Sequence, residues 1–160
     1  MSIRPATRLL ASAVLAVGLT ACSNGATAPD AQVAFDTVKA QQTLTDQPSA
    51  ELVITDAATF ATEWTTCLGS PFALVPAPPE IDFTTRELIL IRDRYGFEGG
   101  SVVVEDITRA DGTIAVSYSV SANPCVDGPV MGTPFTMVTI AKTAEPVTFD
   151  RHALPIPDCS

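Results

Sequence analysis

The stretch from Ser101 to Val120, SVVVEDITRADGTIAVSYSV, constrains the fold more than any other part of the chain. β-branched and aromatic residues crowd two runs, about 101–108 and 113–120, and an Asp111-Gly112 pair separates them. Such residues favour strands, and Asp-Gly is typical of a tight hairpin turn. The stretch therefore predicts an antiparallel hairpin in a β protein.

The two predicted strands differ in how cleanly their faces separate. Every second residue of the later strand is apolar, which predicts one buried row: Ile114, Val116, Tyr118 and Val120. In the earlier strand, simple alternation puts Ile107 on the face opposite to Val102 and Val104. Both of its faces are then expected to be buried in part.

Further strands are predicted on both sides of this hairpin. The segments ELVITD (51–56) and ELILIRD (87–93) read as strands, and residues 32–44 alternate loosely enough for a first strand. Near the end, TPFTMVTIAK and PVTFD predict a second hairpin across Thr143-Ala144-Glu145.

One helix is predicted, at roughly 57–67. Thr55 or Asp56 is a suitable N-cap. Ala57, Phe60, Ala61 and Trp64 recur at helical spacing on one face. We expect Phe60 and Trp64 to pack that face against a sheet.

Six or seven strands with one short helix predict a mainly β fold, either an antiparallel sandwich or a partly open barrel. The chain has 160 residues, enough for one ordinary domain. A domain of this size buries enough surface to be stable as a monomer, which is the expected state.

The N-terminal sequence predicts a targeting signal. Arg4 and Arg8 precede the apolar run LLASAVLAVGL, which is about half the ~20 residues that a membrane-spanning helix needs. The run ends in Leu19-Thr20-Ala21-Cys22, which resembles a bacterial lipobox. The resemblance implies a signal peptide over 1–21 and acylation of Cys22. Residues 22–31 are small, polar and contain proline, which predicts a flexible tether, and a single β domain is expected over 32–160. An ordinary secretory signal beside a cysteine is the alternative.

The charge balance bears on which classes of partner the protein can bind. Without Arg4 and Arg8, seven basic residues face 18 acidic ones, a net charge of −11. Because no basic cluster is available to neutralise phosphates, nucleic-acid binding is not expected.

Acylation of Cys22 leaves an odd number of cysteines in an oxidising compartment: Cys67, Cys125 and Cys159. Extending the ladder of the predicted C-terminal hairpin places Cys159 near Cys125. We therefore predict a Cys125–Cys159 disulfide and a free, buried Cys67 at the helix end.

No catalytic constellation emerges from the sequence. His152 is the single histidine, and no nucleophile elbow, zinc spacing or calcium loop is present. The sequence thus predicts no catalytic residue, no metal site and no cofactor.

The segment YGFEGGS (95–101) lacks the Lys-Ser/Thr of a phosphate loop. Its glycines fit a turn or bulge at the start of a strand. In the alternative, the segment is a partner-binding loop of Tyr95, Phe97, Glu98, Gly99 and Gly100, with the aromatic residues as anchors.

Several motifs, in order, resemble the PrcB C-terminal-like domain family, named after an accessory lipoprotein subunit of a bacterial protease complex. They are DAATFATEWTT, PPEIDFTTRELILI, GFEGGSVVVEDI, GTPFTMVTIAK and a final VTF, over roughly 52–150. The matching positions are Asp82, Phe83, Gly99, Gly100, Pro134 and Phe135. We expect them to define the fold: Phe83 and Phe135 in the core, the glycines for backbone freedom, and Asp82 as a turn acceptor.

The resemblance implies a non-catalytic, lipid-anchored envelope protein that acts as an accessory or protein-interaction module, in a complex that contains a protease. It would lie outside the cytoplasm, on the outer membrane in a diderm. The alternative function is inhibition of an envelope protease by a loop, 95–100 or 123–133, that blocks the protease cleft.

Overall fold

The computed structural model describes residues 31–43, 45–69, 74–94, 100–122 and 132–155. These residues form eight strands and one helix. In chain order the elements are β1 (Ala31–Gln32), β2 (Asp36–Gln42), β3 (Ala50–Ile54), α1 (Ala57–Leu68), β4 (Arg86–Arg92), β5 (Ser101–Ala110), β6 (Thr113–Ser121), β7 (Pro134–Ala141) and β8 (Val147–Ala153).

The strands form two four-stranded sheets. Sheet A has the order β1-β5-β6-β8, and sheet B has the order β2-β7-β4-β3. Every pair of neighbours is antiparallel except β6 and β8, which are parallel. The prediction of a mainly β fold with one short helix is confirmed, and the two separate sheets make it a sandwich rather than a barrel.

The fold has three layers, because α1 covers the face of sheet B that points away from sheet A. Ile89 and Ile91 of β4 face sheet A and join the core between the sheets, whereas Leu88 and Leu90 join the core under the helix. All four side chains are fully buried. A strand covered on both faces has no polar alternation, which explains the continuous apolar run in β4.

Helix α1 begins as the sequence predicts. The Asp56 carboxylate accepts the backbone N–H of Thr59 at 2.8 Å, which caps the helix and lowers the pKa of Asp56. Phe60 and Trp64 are buried, and their rings meet edge to face at 5.7 Å. Their predicted packing role is confirmed.

The predicted hairpin is present as β5 and β6, and both turn residues have positive φ, 49° at Asp111 and 73° at Gly112. The buried row of β6 is also confirmed. The position predicted for Ile107 is wrong. A β-bulge between Val104 and Asp106 adds a residue, so Ile107 lies on the same buried face as Val102 and Val104.

The predicted C-terminal hairpin is also wrong. Strand β7 lies between β2 and β4 in sheet B, so neither of its edges is free for β8. The connection crosses to the other sheet: Lys142 N–H donates to Thr85 in sheet B, and Pro146 C=O accepts from Ile114 in sheet A. The predicted first strand, 32–44, is divided in the same way, since β1 joins sheet A and β2 joins sheet B.

Within the described residues, no helix is both long and apolar enough to cross a bilayer.

Candidate functional site

A cluster of polar side chains surrounds the end of β4, on both faces of sheet B. The apolar run of β4 stops at Arg92 and Asp93. Because successive side chains of a strand point to opposite faces, Arg92 points towards α1 and Asp93 points towards sheet A. Glu51 of β3, Tyr118 of β6 and Arg151 of β8 complete what we call the polar cluster.

Tyr118 connects the sheets through one hydrogen bond. Its ring lies in the core with 2% of the residue exposed, and its hydroxyl donates to Glu51 Oε1 at 2.7 Å. Burial, followed by the hydrogen bond and the negative charge of Glu51, raises the pKa of Tyr118 above its ordinary value. The phenol is therefore held protonated as a donor.

Arg151 makes a second connection beside the first. The β6–β8 register pairs Tyr118 with Arg151, so the two side chains leave sheet A next to each other. Arg151 Nε donates to Asp93 Oδ2 at 2.5 Å. Asp93 is buried, and a buried carboxylate is costly unless it is paired in this way.

Arg92 connects helix α1 to the face of sheet B that points away from sheet A. Its Nη1 lies 2.8 Å from Glu63 Oε2 and 3.5 Å from the Cys67 sulfur. Cys67 is fully buried, and burial raises the pKa of its thiol despite the nearby guanidinium. Cys67 is a free cysteine, as predicted, and its environment favours the unreactive thiol over the thiolate.

A pocket of about 410 Å³ opens beside the polar cluster. Its walls are Ser49, Ala50, Glu51, Arg92, Asp93, Tyr118 and Arg151. The pocket thus follows β3, which is an outer strand of sheet B. Glu51 is exposed there and forms no ion pair within the described part of the chain. The chemistry of the pocket suits a cationic or hydrogen-bonding side chain.

Most of the predicted functional residues lie outside the described residues. This holds for Cys22, Tyr95, Phe97, Glu98, Gly99, Cys125 and Cys159. Of the predicted binding loop only Gly100 is described; it is buried, and its carbonyl accepts from Gln42 Nε2 at 3.2 Å. Of the loop 123–133, only Gly132 and Thr133 are described.

Strands β7 and β8 lie in different sheets, so the hairpin ladder expected to bring Cys159 near Cys125 is not formed. Strand β8 runs parallel to β6 and does not pair with β7. The Cys125–Cys159 disulfide stays a prediction.

The positions that carry the family resemblance have structural roles where they are described. Asp82 accepts the Thr84 N–H at 3.0 Å and is a turn acceptor, as expected. Phe135 is a core residue, and the half-buried Phe83 packs against Phe60 at 5.9 Å between ring centroids. Pro134 opens β7, and its carbonyl accepts the Asp93 N–H.

The outer face of sheet A carries a serine, a histidine and an aspartate near one another. Ser119 and His152 are register partners, and His152 Nε2 lies 3.4 Å from Asp150 Oδ2. No hydrogen bond joins Ser119 to His152 in the described structure, so the contact that activates a serine nucleophile is not formed. The described residues also contain no group of three or more side chains arranged to hold a metal ion.

The polar cluster was not predicted from the sequence. Its members come from four strands, and the contacts depend on how the sheets stack. The one local signal is the change from an apolar run to two adjacent opposite charges at Arg92-Asp93.

No protein-family model, curated protein or solved structure matches the chain. The resemblance to the PrcB C-terminal-like family therefore stays a prediction that depends on the quoted motifs.

Proposed function

We propose that this protein is a lipid-anchored accessory protein of the bacterial envelope that acts by binding another protein, in a complex that contains a protease. The observation that carries the proposal is the Leu19-Thr20-Ala21-Cys22 sequence behind an apolar run. Acyl chains on Cys22 would hold the chain at a membrane surface, since two or more chains give stable anchoring.

The position of the first strand supports this arrangement. Strand β1 begins at Ala31, so the small, polar segment 22–30 separates the acylated cysteine from the sandwich. Nine residues span at most about 30 Å, which keeps the sandwich close to the membrane surface.

The described surface supports a binding role. Side chains of the polar cluster connect the two sheets to each other and sheet B to the helix. The pocket beside the cluster is open and polar. Such a site suits recognition of a side chain on a partner protein.

Acylation is tested by metabolic labelling with a palmitate analogue in the native bacterium, using the wild-type chain and Cys22→Ser. We expect label and membrane association in the wild type and the loss of both in the variant. An unlabelled, soluble wild-type protein would show that the N-terminus is an ordinary secretory signal.

Protein binding is tested by crosslinking in intact cells followed by pull-down of the lipoprotein. Cys22→Ser is the matched control for location. Recovery of the same partner in independent crosslinks, reduced in the variant, supports an anchored interaction module, whereas recovery of lipid alone contradicts it.

A further inference from the structure

Within the described residues, one edge of the backbone of strand β3 is unpaired. In the β4–β7 ladder, Asp93 N–H bonds to Pro134 and Lys142 N–H bonds to Thr85. The odd-numbered residues of β4 therefore bond to β7 and the even-numbered ones bond to β3. In the β3–β4 register these even-numbered residues lie opposite Ala50, Leu52 and Ile54, whose backbone groups therefore hydrogen-bond to β4. The N–H and C=O groups of Glu51 and Val53 consequently point away from the sheet.

The other edge strands of the described sheets carry features that block strand addition. Strand β1 has only two residues, β2 has a β-bulge and Lys39, and β8 has three consecutive charged or titratable residues from Asp150 to His152. Strand β3, with the sequence AELVI, has no proline, no lysine and no bulge. Val53 in this strand is 38% exposed. An edge of this kind is a template for a further strand.

The pocket beside β3 lies where a side chain of an added strand would go. Glu51 and Val53 point towards sheet A, and side chains directly opposite them on an added strand point to the same side. A residue opposite Glu51 would therefore enter the pocket at the polar cluster. Backbone bonds along an edge give affinity, and a side-chain pocket gives specificity.

We infer that β3 binds an extended segment of a partner protein as a fifth strand of sheet B, with a lysine or arginine of that segment placed against Glu51. Charge complementarity selects this occupant. Glu51 has no cationic partner in the described structure, and the net charge of −9 opposes pairing with a second copy. The inference rests on the proposed protein-binding function and names the surface that performs it.

The probe is a capped, dye-labelled peptide, Thr-Val-Thr-Lys-Thr-Val-Thr, titrated with the full-length chain in detergent and followed by fluorescence anisotropy. Two control peptides differ from it in one respect each. One has Glu in place of Lys, and the other is N-methylated at alternate residues, which removes ladder hydrogen bonds and keeps every side chain. We expect both controls to bind about tenfold more weakly or worse.

The matched protein variants are Val53→Pro and Val53→Thr. Proline removes an N–H that points outward and leaves the bonds to β4 intact, which an edge strand tolerates. We expect Val53→Pro to weaken binding about tenfold or more and Val53→Thr to change it less than about twofold. Glu51→Gln should weaken binding of the Lys peptide about twofold to fivefold and leave the Glu peptide no weaker than before.

Equal binding of the N-methylated peptide, or no effect of Val53→Pro in a folded variant, would overturn strand addition. If Val53→Pro fails to fold, the N-methylated peptide still decides the question, because it leaves the protein unchanged. Self-association in the ultracentrifuge that Val53→Pro abolishes, without peptide binding, would assign the edge to a second copy instead. If a crosslinked partner is still recovered with Val53→Pro, the β3 edge is not its binding surface, but the proposed protein-binding function is still supported.

Discussion

Arg92 and Asp93 are consecutive residues whose side chains hold opposite layers of the sandwich. Arg92 Nη1 lies 2.8 Å from Glu63 Oε2 of α1, and Asp93 Oδ2 accepts from Arg151 Nε of sheet A at 2.5 Å. A single point at the end of β4 thus fixes the position of the helix and of the second sheet.

The contribution of Arg92 is measurable by mutation. Arg92→Ala leaves the partly buried Glu63 without its cation, and we expect the free energy of unfolding to fall by about 3 kcal/mol. Arg94→Ala is the matched control, because Arg94 pairs with Asp46 at an exposed site, where such pairs contribute about 0–1 kcal/mol. Urea unfolding of both variants gives the comparison. Equal losses would contradict a special role for Arg92.

Tyr118 should resist alkaline titration in the folded protein. Because its pKa is raised, the stability that it contributes is present below the unfolded value of about 10 and is lost as the pH rises through the folded value. At about pH 10.5, tyrosinate absorbance of wild type and Tyr118→Phe should agree while both are folded and differ by about three-quarters of one tyrosinate once both are unfolded. A difference of that size in the folded state would refute the buried hydrogen bond.

Glu87 of β4 should make stability depend on pH. Glu87 is 2% exposed, its Oε1 has no hydrogen-bond partner among the described residues, and burial raises the pKa of its carboxyl. A raised carboxyl pKa favours folding in the protonated state, so the stabilising contribution is present below the unfolded value of about 4.3 and lost as the pH rises through the folded value.

Glu87→Gln removes this titration. When the pH is lowered from neutral to about 4.5, the unfolding free energy of the wild type should therefore rise relative to that of Glu87→Gln. Denaturant unfolding across that range measures it. A difference that does not vary with pH would contradict a raised pKa.

Gly132 sits where no side chain fits. A Cβ at this position would lie 2.1 Å from the Thr43 carbonyl oxygen, in a backbone pairing in which Thr43 N–H donates to Thr133. We expect Gly132→Ala to cost about 2–3 kcal/mol in thermal or urea unfolding, as overpacking does. Gly112→Ala is the control: it meets no neighbour and carries only the strain of positive φ, about 1 kcal/mol. A tolerated Gly132→Ala would show that the pairing at Thr43 adjusts.

The cysteine pairing is open to peptide mapping without reduction. We expect Cys67 to be alkylated only after unfolding, because it is fully buried, and we expect a peptide that links Cys125 to Cys159. A link from Cys67 to either of the others would refute the predicted pairing. Cys67→Ala should leave the link intact.

Local features of this fold were predictable because their causes are local. The Asp111-Gly112 turn, the Asp56 cap and the Phe60–Trp64 face each depend on residues a few positions apart. The destination of β8 was not predictable, because the alternation at Val147 and Phe149 fits any half-buried strand and does not identify its partner.

The polar cluster shows the same limit at the candidate site. Glu51 and Tyr118 are 67 positions apart, and Asp93 and Arg151 are 58 apart. Each residue alone resembles a solvated charge or a core tyrosine. These residues come into contact only because the two sheets stack. An inserted residue, such as the one in the β5 bulge, also changes which side chains face inwards.

The parallel pairing of β8 with β6 has a consequence for how the chain reaches its folded state during synthesis. β8 is the last of the described strands, and it supplies both one outer strand of sheet A and the guanidinium that pairs with Asp93. A chain that emerges from the ribosome N-terminus first must therefore keep β6 unpaired on one side, and Asp93 without Arg151, until β8 has emerged. Until then this edge of β6 is open to chaperones and proteases, so the sandwich is completed only with its last described strand.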